Sequence, residues 1–163
     1  MKKIILNIFV NEYDSISELN AQDRNLLKSA QEAVDSSYSP YSNFKVGAAV
    51  LLDNGVVVKG SNQENVAYPS GLCAERVAMF AASAQHPNIP IKSIAITAKS
   101  KNFKIDTPIT PCGACRQVMA EYETHYKNRI RVIMMGETGK IYIIDGIENI
   151  LPLNFQAKGL KKE

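Results

Sequence analysis

Apolar positions fall at helical spacing from about Asn20 or Asp23 to Tyr38, with Leu26, Leu27, Ala30, Ala33 and Val34 on one side. Ser39, Pro40, Tyr41, Ser42 and Asn43 then form a turn cluster. Two β-rich runs, Lys45 to Leu52 and Val56 to Ser61, flank Asp53-Asn54-Gly55 and predict a hairpin. After a loop from Asn62 to Leu72, a helix is expected from Cys73 to about Gln85, with Val77, Phe80, Ala81 and Ala84 as its apolar face. Ile91 to Ala98 is apolar almost throughout, the pattern of a strand covered on both faces. A polar loop ends at Thr110-Pro111, and a helix from about Cys112 to Tyr126 is expected to bury Val118, Met119 and Tyr122. Arg131 to Met135 and Lys140 to Ile144 read as strands around a Gly136 to Gly139 turn. Helices thus alternate with five core strands, an order that packs as a layered α/β domain with a mixed sheet.

Composition narrows this without redirecting it. The chain has 163 residues, 45% hydrophobic and 21% charged, as expected for one ordinary globular domain. The net charge is +3, but only Lys99, Lys101, Lys104 and the tail lysines Lys158, Lys161 and Lys162 cluster. Those read as solvated surface, so no nucleic-acid partner is expected. The opening MKKIILNIFV resembles a leader, yet Asn7 interrupts it, Glu12 and Asp14 follow, and no small-residue cleavage site appears. No apolar run approaches the roughly 20 residues of a spanning helix, so the expectation is a cytoplasmic protein with no membrane partner.

The cysteines carry the chemistry. There are three, Cys73, Cys112 and Cys115, an odd number that points to metal binding or catalysis rather than to a disulfide framework. Cys112 and Cys115 share one helix face, and Pro111 favours a helix start. Cys73 begins the preceding helix with Glu75 two residues on. Three thiolates and a water would complete a zinc site with one open position, whereas structural zinc sites fill all four with protein. Helix N-termini stabilise thiolates, and Arg76 and Arg116, each adjacent to a ligand in sequence, would offset the excess negative charge as outer partners. Read as isolated residues, buried apolar cysteines and an ordinary Glu75-Arg76 surface pair remain the alternative.

Cys73-Ala74-Glu75-Arg76 and Pro111-Cys112-Gly113-Ala114-Cys115-Arg116-Gln117 together resemble the zinc nucleoside deaminases, in particular the homotetrameric three-cysteine cytidine deaminases. The likeness runs from near Asp23 to Phe155. It includes Tyr41 to Ala48, whose Phe44 corresponds to a residue lining the nucleoside pocket, and Asn62-Gln63-Glu64-Asn65, resembling the loop that reads the ribose. It implies a three-layer α/β/α sandwich with a central mixed five-stranded sheet and one Zn²⁺ per subunit. It also implies hydrolysis of cytidine and 2′-deoxycytidine to the uridine products and ammonia, in pyrimidine salvage. By resemblance, Cys73, Cys112 and Cys115 hold the metal and Glu75 moves the protons. Phe44, Asn62, Glu64 and the backbone near Ala74 and Thr110 contact substrate, while Tyr68 and Phe155 are shared between subunits of a homotetramer.

The chain departs from that pattern in residues 1–22, an extension able to add a strand, and in the loop 100–108. The catalytic domain is expected over 23–155, with a basic tail at 156–163. Other readings are a deaminase of the same fold acting on another aminopyrimidine nucleoside such as blasticidin S, and a non-catalytic zinc-binding module. A polynucleotide deaminase fits less well, since it predicts a basic strip and usually a His ligand.

Overall fold

The computed structural model describes residues 1–156 and 158–160, apart from the Lys158 side chain; the rest of the expected basic tail lies outside the described residues. Its regular elements are β1 (Asn11–Tyr13), α1 (Ala21–Ala33), β2 (Phe44–Leu52), β3 (Val57–Ser61), α2 (Ala74–Gln85), β4 (Ile91–Ser100), α3 (Gly113–Tyr126), β5 (Arg131–Met135) and β6 (Ile141–Asp145). Short 3-10 turns join several of them. The strands form one mixed sheet in the order β1-β6-β5-β4-β2-β3. Only β4 and β5 are parallel, and α3 makes the crossover between them.

The sheet has six strands where five were expected. The sixth is β1, from the N-terminal extension, which pairs antiparallel with β6 from Asn11↔Ile143 to Tyr13↔Ile141. Strand β4 also runs two residues beyond Ala98, because Lys99 and Ser100 still pair with Lys45 and Phe44 on β2. The pairing partner, not the local sequence, sets that end.

Alternation along the strands divides the core between the two sheet faces. Ala48, Val50 and Leu52 of β2 join Ile94 and Ile96 of β4 and pack with α2 and α3 through Ala78, Met79 and Met119. The intervening Ala49, Leu51 and Ala95 join Ile133, Ile141 and Ile143 and pack with α1 through Leu26, Leu27 and Ala30. Helix α1 starts at an Asn20 cap whose side chain accepts from the Asp23 amide. Leu26, Leu27, Ala30 and Ala33 are buried as the periodicity predicts, but the α-helix ends at Ala33 and a 3-10 turn carries Val34. Asp23 itself is buried and paired with Arg131, which also bonds Asp145, so one guanidinium joins α1 to β5 and β6.

Helix α2 corrects the expected face. Its buried positions are Ala74, Glu75, Ala78, Met79 and Ala82, whereas Phe80 is 44% exposed and Ala84 is exposed. The reason is close approach. An added Cβ at Gly60 of β3 would lie 2.5 Å from the Ala78 nitrogen and 2.7 Å from the Ala74 carbonyl oxygen. A helix so near the sheet must present its small residues, and the stripe Ala74, Ala78, Ala82 supplies them. In α3, Met119 is buried as expected, together with Cys115 and Ala120, while Val118 and Tyr122 are only partly covered.

Gly60→Ala therefore tests how α2 is seated. In an unstrained strand this change gains about 0.4–1 kcal/mol through the unfolded chain. Here overpacking against backbone should cost about 1–3 kcal/mol, a lower urea midpoint at unchanged m-value. A midpoint equal to or above wild type would contradict the close packing.

Candidate active site

Two helix starts meet in this fold, and each begins on a cysteine. Cys73 is the N-cap of α2 and Cys112 the N-cap of α3, with Cys115 one turn further along. Neither cap side chain accepts from the backbone amides of its helix's first turn. Serine or aspartate would normally occupy such positions to accept from the first-turn amides. Here the sulfurs turn to one another instead: Cys73 Sγ lies 3.8 Å from Cys112 Sγ, which lies 3.4 Å from Cys115 Sγ. All three lie within 4.8 Å of each other, the one such group of potential metal ligands among the described residues.

The cluster is electrostatically uneven. Hydrogen bonding from the Cys115 thiol, then from Arg76 and Cys112, pulls the Cys73 thiol down to about 5 despite its burial. The Cys115 thiol is pushed strongly up, first by that bond to Cys73 and then by burial. One thiolate forms readily, and its proximity opposes another at Cys115. A divalent cation removes that conflict.

The donors fit zinc. Tetrahedral Zn–S bonds of about 2.3 Å place sulfurs roughly 3.8 Å apart, close to the observed separations. The surrounding charge fits as well. Arg76 Nη2 lies 3.9 Å from Cys73 Sγ, and Arg76 Nε is buried with no hydrogen-bond partner in the structure. A guanidinium held there suits a centre with excess negative charge.

Arg116 is used differently from Arg76. Its Nε donates to the Pro111 carbonyl at 2.7 Å, its Nη1 to the Ile150 carbonyl at 2.8 Å and its Nη2 to Thr110 Oγ1 at 3.3 Å. It thus fixes the peptide leading into Cys112 to the chain beyond β6.

Cys73 and Cys112 open into a cleft of about 750 Å³, within the range of small-molecule sites. Glu75, Phe44, Asn62, Glu64, Tyr68 and Thr110 line it too. Glu75 is in the first turn of α2 and only 4% exposed. Burial raises its pKa above the usual carboxylate range and the Cys73 charge adds to this, while its own backbone amide pulls the other way.

Asn62 is anchored at the cleft wall. Its Oδ1 accepts from Ser37 Oγ at 2.6 Å and the Val46 amide at 2.8 Å, and its Nδ2 donates to the Phe44 carbonyl at 2.9 Å. An amide group has two N–H donors, so one is left for the cleft. Glu64 accepts from the Tyr41 amide at 2.8 Å, the Ser42 amide at 3.3 Å and the Ser42 hydroxyl. The hydroxyl is the main reason its pKa falls below the ordinary value.

Tyr68 is 75% exposed and meets Tyr41 edge-on at 5.9 Å. Phe155 is outside the cleft lining. Its backbone is clamped in both directions by Gln117 of α3, at 2.9 and 3.2 Å, and 73% of the residue is exposed. The backbone near Ala74 is the first turn of α2. Sequence reasoning missed Ser42, whose contacts with Glu64 span 22 residues, and Gln117, held to a segment 38 residues away. Gln117 stood inside the cysteine motif, but nothing local marked its partner.

A profile of the cytidine and deoxycytidylate deaminase zinc-binding region matches residues 20–129, which include all three cysteines and Glu75. The chain belongs to this family. It is 46% identical to a cytidine deaminase of Halalkalibacterium halodurans over 96 residues, 59% of this chain and 68% of that one. A Mycoplasma genitalium cytidine deaminase is 33% identical over 121 residues, covering 74% of this chain and 87% of that one. Among solved structures, the Burkholderia pseudomallei cytidine deaminase superposes with a TM-score of 0.71 at 36% identity, covering 84% of this chain and 100% of the other. The family's zinc-binding region spans all three cysteines, and their sulfurs form a cluster that could hold such an ion.

Replacing Cys112 with Ala should lower the zinc-to-protein ratio, measured by atomic absorption, to a small fraction of wild type. An unchanged ratio would contradict the assignment of this sulfur.

Proposed function

We propose that the protein hydrolyses cytidine and 2′-deoxycytidine to uridine and 2′-deoxyuridine with release of ammonia, a reaction of pyrimidine salvage. The observation that carries this reading is Glu75, a buried carboxyl lining the same cleft as Cys73 and Cys112. A non-catalytic zinc module has no need of such a group. The cytidine deaminases among the relatives and the matching structures support the substrate.

Cys73, Cys112 and Cys115 would hold one zinc ion per subunit, which would supply the Lewis acidity that brings a water pKa into the neutral range. Glu75 takes a proton from the water whose oxygen attacks C4 of the base and gives it to N3. It then carries the second proton from the new C4 hydroxyl to the amino nitrogen, which leaves as ammonia as the C4–N bond breaks and the C4 carbonyl forms. A carboxyl whose pKa is raised by burial is a stronger base toward water and still an acid toward the departing nitrogen, which suits both halves of that cycle. Phe44 offers a ring face to the pyrimidine, and backbone near Ala74 with the Thr110 carbonyl takes the base edge. Asn62 presents its remaining N–H to a sugar hydroxyl, and ionised Glu64 accepts from another. The anchoring of both by Ser37, Ser42 and backbone gives them fixed positions before substrate arrives.

The apolar clusters on opposite sheet faces support a three-layer α/β/α arrangement, with the catalytic domain over 23–155, an extension at 1–22 and a tail at 156–163. We read the assembly as a homotetramer with Tyr68 and Phe155 reaching neighbouring sites, a role their exposure suits. No described helix is long and apolar enough to cross a membrane, and a cytoplasmic location without nucleic-acid partners fits a free nucleoside substrate.

The deciding assay follows the absorbance change of cytidine, deoxycytidine and blasticidin S side by side. Turnover of cytidine with ammonia release is expected, and turnover of blasticidin S alone would move the substrate to the antibiotic. Glu75→Gln should keep zinc and fold while losing about 10²–10⁴-fold or more in kcat. Wild-type rates in that variant would remove Glu75 from the mechanism.

A further inference from the structure

The loop after β4, where the chain departs from the family pattern, packs behind residues that line the cleft. At its middle Ile105 is buried, and its carbonyl accepts from the Glu137 amide at 2.8 Å and the Thr138 amide at 3.2 Å, in the turn between β5 and β6. That turn admits the loop because it carries glycine. A Cβ at Gly136 would lie 2.6 Å from the carbonyl oxygens of Ile105 and Thr107, and one at Gly139 would lie 2.2 Å from that of Asp106. Thr97 fixes the same turn from β4, donating to the Gly136 carbonyl at 2.7 Å.

At its start the loop reaches the cleft. The Phe103 ring stacks on Phe44 with centroids 6.1 Å apart and planes 27° from parallel. Asn102 Nδ2 lies 3.5 Å from the carbonyl oxygen of Ser42, and its amide donates to Ser100 Oγ at 3.1 Å. Ser42 in turn bonds both Glu64 and the Phe44 amide. The loop therefore holds the segment that carries the pyrimidine-facing ring and the anchor of the ribose-reading carboxylate. Phe103 is not among the cleft-lining residues, so it acts through Phe44.

Phe44 is half-buried at the first residue of β2, where the Phe103 ring stacks on it. Fixing that ring in advance removes an ordering cost from nucleoside binding. We propose that Phe103 is a positioning residue, a brace that holds Phe44 in the orientation that stacks on the pyrimidine ring of an aminopyrimidine nucleoside. This rests on the deaminase reading above. The brace acts on binding of substrate and leaves the proton transfers of Glu75 alone.

The test compares Phe103→Ala and Phe103→Tyr with wild type in zinc-loaded protein. Phe103→Ala should raise KM for cytidine about three- to tenfold, the size of a lost aromatic pair, with kcat within twofold. Phe103→Tyr keeps a ring and should restore KM to near wild type. Because Phe103 is 58% exposed, the unfolding midpoint and zinc content should stay put in both variants. A KM within twofold of wild type in Phe103→Ala, or a fall in kcat larger than the rise in KM, would overturn the brace. So would failure of Phe103→Tyr to restore KM. Wild-type turnover in the same assay reports separately on the reaction: without it the deaminase reading falls and takes the brace with it, whereas turnover with an unmoved KM sinks the brace alone.

Discussion

Three sulfurs within 4.8 Å of each other cannot all ionise without a cation to offset their mutual repulsion. Each added thiolate raises the cost of the next, as the opposite displacements of Cys73 and Cys115 show. The fold nevertheless gives up two helix N-caps to create this crowding, and it sets Arg76 beside it with a buried N–H that finds no partner. Such a cost is sensible only if a cation completes the site. The placement of α2 and α3, the small residues beneath α2 and the tethering of the Thr110–Pro111 peptide by Arg116 all serve that convergence.

The sheet makes the convergence possible. Helix α2 follows the β2–β3 hairpin, and α3 follows β4, the strand hydrogen-bonded between β2 and β5. Seating α2 closely on β3 requires Gly60 on the strand and the Ala74, Ala78, Ala82 stripe on the helix. The same seating buries Glu75 beside the sulfurs, so one packing decision both positions the carboxyl and raises its pKa. Structure and chemistry are coupled there through desolvation.

The substrate side of the cleft is held by a different means. Asn62, Glu64 and Phe44 sit near the β2 and β3 ends and are fixed by hydrogen bonds to Ser37, Ser42 and local backbone. Much of their polar capacity is consumed inside the protein. Little polar capacity is left over on these lining residues, and the aromatic ring of Phe44 is braced from outside by Phe103. Rigid presentation of few groups is an economical way to read a nucleoside.

The three cysteines and Glu75 stood out as candidates in the sequence because their spacing brings them to two helix starts, and the fold gathers the sulfurs and the carboxyl around one cleft. Cys112 and Cys115 share a helix face at any fold, and Glu75 stands two residues from Cys73 on the same helix start. The core of α1 was legible for the same reason, since periodicity survives whatever the helix packs against. The apolar face of α2 was not, because close approach to Gly60 favoured small residues over the larger Phe80. The sixth strand, the direction of Arg116 and the contacts of Ser42, Gln117 and Phe103 also needed the fold, since each joins positions far apart in the chain. Local chemistry is written in residue order, but which groups are left free to meet a substrate depends on partners that only the tertiary structure brings within reach.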